Sequence, residues 1–218
     1  MSATEAAALA GRSLGEIATS LPGATAVFRR HKLDFCCGGQ AVLADAAGPD
    51  RLPAIAAELA ALDRPDAEEP QDDATLVRLI LDRYHAVHRA EVPELVRLAR
   101  RVEAVHRDHP DAPRGLAALL ERILYEMEAH MQKEEQGLFP MILAGQRHLA
   151  MPISIMRDEH DDHGERLREI EALTQGHVPP AGACNSWRAL YAGTRKFADD
   201  LMEHIHLENN VLFPRYTA

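Results

Sequence analysis

The sequence predicts an all-α protein: a four-helix bundle preceded by a small helical unit. Alanine, leucine, glutamate and arginine dominate, while aromatic residues make up only 5% of the 218 positions, a mixture that favours helix over strand. Apolar residues recur at helical spacing over four long stretches of the C-terminal part. Modest connections join those stretches, the arrangement of a bundle. A hydrophobic content of 46% gives the fold a core to bury.

The N-terminal unit, 1–63, reads as short helices. Leu14, Ile17 and Leu21 repeat at helical spacing, residues 24–32 follow Pro22-Gly23 with Val27 and Phe28 apolar, and Asp50 stands where it caps a helix carrying Leu52, Ile55, Leu59 and Leu62. Between them lies Asp34-Phe35-Cys36-Cys37-Gly38-Gly39, whose glycines permit backbone conformations other residues resist, so the thiols belong on or beside a turn. Residues 64–73 are acidic, hold two prolines and show no apolar periodicity, and read as a linker. The bundle follows over 74–218. Helix A spans about 74–107, with a kink expected at Pro93. Helix B spans about 114–138, helix C about 152–174, and helix D runs from a Ser186 cap to about Leu212.

Charge and cysteine usage restrict the function. The net charge of −10 repels phosphate backbones, which argues against nucleic acid. No segment is apolar enough to span a bilayer and no basic amphipathic stretch suits a membrane surface, so no membrane partner is expected. The N-terminus lacks a basic, then apolar, leader, and the expectation is a cytoplasmic protein. Of the three cysteines, Cys36 and Cys37 are adjacent and would close only a small strained ring, so reduced thiols are expected, with Cys184 an incidental one.

The twelve histidines carry the chemistry through their spacing. His130-x3-Glu134 precedes Leu138-Phe139-Pro140, and His204-x3-Glu208 precedes Leu212-Phe213-Pro214. Positions i and i+4 share a helix face, so an imidazole and a carboxylate point together on helix B and again on helix D. Helix A carries His85-x2-His88 and helix C His160-x2-His163, which makes the bundle a duplicated hairpin with matching ligands from each half. His88 and His163 are the alternatives on those two helices. His85 is preferred because Leu81 and Tyr84 mark an inner face, and His160 because Ile153 and Met156 do. Four imidazoles, two bridging glutamates and one oxo or hydroxo bridge still leave open positions on a pair of six-coordinate ions, and this donor mixture suits iron or manganese. The candidate ligands are therefore His85, His130, Glu134, His160, His204 and Glu208. Glu126 and Glu159 are candidates for outer carboxylates. Glu135, Glu203 and His206 read as exposed, and His106, His109, His148 and His177 fall near helix ends.

Those residues resemble the hemerythrin-like bundle, which holds two irons. The resemblance departs at one place: a further histidine in a His-x3-His pair would be usual on the third helix, yet Met156 and Gly164 stand four residues from His160. Leu14-Gly15-Glu16-Ile17, Ala24-Thr25-Ala26-Val27-Phe28 and the Cys36-Cys37-Gly38-Gly39 stretch are similar to the N-terminal domain of the repair-of-iron-centres family. His85-Ala-Val-His-Arg89, Lys133-Glu134-Glu135-Gln136 and Arg157-Asp158-Glu159-His160-Asp161 also look like that family.

The resemblance implies repair of iron–sulfur clusters damaged by nitrosative or oxidative stress. It carries the two-iron ligand set onto the six residues above, with the glutamates bridging, and the family's cysteines onto Cys36 and Cys37. The leading expectation is an iron-donating repair protein rather than a conventional enzyme, with damaged iron–sulfur proteins as partners. Cys36 and Cys37 would relay iron or act in redox, with Arg29, Arg30, His31 and Lys32 as candidate activators of the thiolates. The alternatives are a module that binds or senses nitric oxide or oxygen, and a di-iron nitric oxide reductase. A homodimer stays open.

Overall fold

The computed structural model describes residues 8–62 and 72–217. Among them there is no β-strand, only an isolated bridge between Ser13 and Val42. The chain is all-α. The expected acidic linker, 64–73, lies outside the described residues except for Asp72 and Asp73, and Asp73 already begins a helix. Two compact units result. One is Asp73–Leu201, and the other joins the N-terminal region to the chain from Met202 onward.

The N-terminal region contains α1 (Leu14–Ser20), α2 (Ala24–Arg30) and α3 (Leu43–Ala60). A capping box starts α1: the Glu16 amide donates to Ser13 Oγ, and the Ser13 amide donates to the Glu16 carboxylate, satisfying two donors that a helix start leaves open. Helix α3 is longer than the sequence pattern indicates. It is two helical pieces merged across Gly48, whose φ of 71° only glycine adopts easily. Asp50 therefore sits inside the second piece rather than capping it. Ile17, Phe28, Phe35, Leu43, Ile55 and Leu59 are fully buried and form the core of this unit.

Four long helical stretches follow from Asp73, the last of them continuing past Leu201 into the chain of the other unit. The first is α4 (Asp73–Leu79), a π-helical segment π1 (Ile80–His85) and α5 (Ala86–Val105), with the helix continuing through Pro93. The second is α6 (Leu116–Lys133), π2 (Glu134–Leu138) and α7 (Phe139–Leu143). The third is α8 (Ala150–Leu173). The fourth is α9 (Asn185–His206), so Ser186 lies in its first turn, and it leads into π3 (Leu207–Leu212) and α10 (Pro214–Thr217). Within Asp73–Leu201 α5 packs along α6 and α6 along α8. Gly193 of α9 lets Leu95 of α5 approach so closely that an added Cβ would stand 2.5 Å from its Cδ2.

The glycines beside the cysteines work by size, not by backbone freedom. Neither Gly38 nor Gly39 has a positive φ. A Cβ on Gly39 would lie 2.7 Å from Asn210 Oδ1 and 2.8 Å from the Phe35 carbonyl, and one on Gly15 would lie 2.7 Å from the same Asn210 oxygen. Gly39→Ala is expected to destabilise the protein by about 1–3 kcal/mol through overpacking. Gly137→Ala, with nothing within 4 Å of the new methyl, serves as the control. Urea melts of the two variants check the contrast.

Candidate metal centre

Three helices of Asp73–Leu201 bring His85, His130, Glu134 and His160 together. All are buried, Glu134 and His160 completely. Glu134 Oε2 lies 3.4 Å from His85 Nε2 and 3.4 Å from His130 Nε2, between imidazoles from two different helices. His160 Nε2 lies 3.1 Å from His130 Nε2. In the other unit the fully buried Glu208 has Oε1 3.0 Å from His204 Nε2. Burying a carboxylate away from water is costly unless positive charge compensates it, and imidazole nitrogens converging on carboxylate oxygen make a donor set for a cation. The chemistry of these residues fits iron.

Each candidate carboxylate ligand lies at a π-helical segment. Glu134 opens π2 and Glu208 is the second residue of π3, while His85 closes π1. The backbone bonds reach back five residues: Phe139 N–H donates to the Glu134 carbonyl and Phe213 N–H to that of Glu208, the latter at 2.8 Å. Sequence reasoning missed these segments, although a signal exists. Pro140 and Pro214 each lack an N–H and crowd the carbonyl four residues earlier, which disfavours an α-helical ladder there and favours a wider turn. The Leu-Phe-Pro tails are the trace of that widening. At π1, where Ala86 N–H donates to the Leu81 carbonyl, no such proline occurs.

The inner nitrogens are oriented from outside. His85 Nδ1 stands 2.8 Å from Glu135 Oε1, and His130 Nδ1 stands 2.8 Å from Glu159 Oε2. An ionised carboxylate only accepts, so each Nδ1–H donates outward and each Nε2 keeps its lone pair facing inward. Glu135 is thus not the surface charge expected from sequence. Burial alone would raise its pKa, yet Arg89, with Nη1 at 2.6 Å, and His85 hold it below the usual range. His130 and Lys133 hold Glu159 at about 2, the His130 hydrogen bond contributing most. Glu126 pairs with Arg122 at 2.7 Å and with Arg166 at 3.4 Å.

Two predictions arise from Glu159. Glu159→Gln is expected to weaken metal binding about 10–100-fold with every candidate ligand intact, as equilibrium dialysis would read. Because its pKa is lower in the folded than in the unfolded chain, its contribution to stability is present above about pH 4.3 and fades as pH falls towards about 2. In acid titrations of metal-free protein the parent should lose stability more steeply over that window than the variant.

The remaining candidates are placed as follows. His88 is buried, its ring 5.5 Å from that of Phe197, and His163 is buried with its ring 5.2 Å from that of His130. His206 is buried rather than exposed, because Phe35 covers it edge-on at 5.5 Å and Asn210 Nδ2 lies 2.9 Å from its Nδ1. Cys36 is buried and Cys37 half-buried, with their sulfurs 3.7 Å apart. Of the expected activators, Arg29 pairs with Glu203, and Arg30 and His31 pair with Glu58. The neighbouring Cys37 thiol, burial and Asp34 together push the Cys36 thiol well above its ordinary pKa.

A family described as the hemerythrin HHE cation-binding domain matches residues 77–216, and the domain of unknown function ScdA_N matches residues 10–63. The chain is 52% identical over 212 residues to the iron–sulfur cluster repair protein YtfE of Musicola paradisiaca, covering 94% of this chain and 95% of that protein. It is 52% identical to the YtfE of Yersinia pseudotuberculosis serotype O:1b and 51% identical to that of Yersinia pestis strain Pestoides F, covering 94% of this chain and 96% of each relative. The chain belongs to the YtfE family of hemerythrin HHE proteins. As a family member it combines both domains, and the HHE match runs through His85, His130, Glu134, His160, His204 and Glu208 alike.

Proposed function

We propose that His85, His130, Glu134, His160, His204 and Glu208 together hold two irons, and that the protein supplies iron to iron–sulfur clusters damaged by nitric oxide or peroxide. The observation that carries this reading is Glu134, a fully buried carboxylate equidistant from imidazoles on two helices, which would hold iron together with them. Helix continuity supports the inclusion of His204 and Glu208. Asp200 of α9 pairs with Arg83, two residues before His85, and His204 lies one turn further along the same face. The names of the curated relatives support cluster repair.

The residues divide the work. Glu134 and Glu208 neutralise charge at the centre. The histidines supply neutral donors, with His85 and His130 oriented by Glu135 and Glu159. Burial keeps bulk water from the ligands. The iron is the cargo, and an imidazole-rich set short of a His-x3-His pair at His160 favours release over permanent retention. Cys36 and Cys37 receive the client or the departing ion.

The test mixes iron-loaded protein with an iron–sulfur enzyme inactivated by nitric oxide. Client activity should return while iron in this protein falls in proportion. No recovery with full iron retention overturns the proposal. Absence of iron and of visible absorbance in protein as purified would overturn the two-iron site itself.

A further inference from the structure

We infer that Asp34, Cys36 and Cys37 form a second metal site, one that takes a tetrahedral divalent cation of the Zn²⁺ class and leaves its fourth position open. The three ligand atoms lie within 4.8 Å of one another, all inside the unit built from the N-terminal helices and the C-terminal segment.

The spacing is that of a chelate. A tetrahedral ion about 2.3 Å from two thiolates sets them about 3.8 Å apart, and a carboxylate oxygen at about 2.1 Å lies about 3.6 Å from each. Cys36 Sγ and Cys37 Sγ are 3.7 Å apart, and Asp34 Oδ1 is 3.4 Å from Cys36 Sγ. Oxidation of adjacent cysteines would instead force a strained ring.

The loop is also held in place. Asp34 Oδ1 accepts from the amides of Cys37 and Gly38, both at 3.0 Å. Asn209 Nδ2 donates to the Cys36 carbonyl at 3.1 Å and Asn210 Nδ2 to that of Phe35 at 3.0 Å. Gly15 and Gly39 leave no room for a Cβ against Asn210. These ties lower the ordering cost of binding.

The neighbouring Cys37 thiol, burial and Asp34 raise the pKa of the Cys36 thiol, and a coordinated thiol is deprotonated outright. On binding, the two S–H bonds break, both protons go to solvent, and each sulfur gives a lone pair to the ion with no change of oxidation state. The open position admits a ligand from outside the chain.

The test is cobalt titration of reduced, full-length protein in a Cys184→Ser background, which removes the exposed thiol beside His106. The histidine–carboxylate set contains no sulfur, so a thiolate-to-cobalt charge-transfer band reports only the second site. With the histidine–carboxylate set already loaded with iron, the band should saturate at about one cobalt per chain and vanish on adding zinc. It should be lost in both Cys36→Ser and Cys37→Ser. Asp34→Asn keeps an oxygen for the two amides, so the loop survives, but binding should weaken at least about tenfold. Absence of the band in the parent, its persistence in either serine variant, or parent-like affinity in Asp34→Asn overturns the inference. The titration involves no client, so its outcome is independent of iron donation.

Discussion

Glu134→Gln is expected to purify without iron, yet to melt no lower than metal-free parent. The two halves of this result have one cause. Glu134 is completely buried between His85 and His130. With iron present its charge is neutralised and it contributes as a ligand. Without iron, the carboxylate is a buried ionisable group that costs free energy. Glutamine keeps the shape and removes the charge, so the metal-free protein gains or stays level while the loaded state is lost. Iron analysis and thermal melts of both proteins, each with and without ferrous iron, read the two effects. For a chain of this size a 1 kcal/mol change moves Tm by about 2–4 °C. A Glu134→Gln protein retaining two irons would remove Glu134 from the site.

Replacing Cys36 and Cys37 together by serine is expected to leave the iron absorbance intact and to reduce client recovery to the level of buffer. The cysteines are not among the six proposed iron ligands, and their loop is fixed by backbone contacts that serine preserves: Asp34 to the amides of Cys37 and Gly38, and Asn209 and Asn210 to the carbonyls of Cys36 and Phe35. Loss of iron content in the double variant would mean that the thiols serve the iron store rather than its delivery. Full recovery of the client would remove them from the reaction.

The individual elements show how far sequence reaches. The two His-x3-Glu repeats were legible because i and i+4 share a helix face, and the helices around them were legible from apolar spacing. The π segments were not read, although Pro140 and Pro214 announce two of them, because hydrophobic periodicity tolerates one inserted residue. The Glu135 contact to His85 was also hidden. Glu135 belongs to the acidic outer face of its own helix, and only the adjacent helix supplies Arg89 and His85 to engage it. His206 was misjudged for the same reason: its cover, Phe35, comes from 171 residues earlier.

By itself, the sequence determined the all-α class, the four long helices and the candidate metal ligands, because each depends on spacing within one helix. Tertiary structure alone decided which imidazole nitrogen faces inward, which carboxylates orient the histidines and how the cysteine loop is held. Those outcomes depend on contacts between segments remote in sequence, and a single-helix pattern carries no information about which neighbour a side chain will meet.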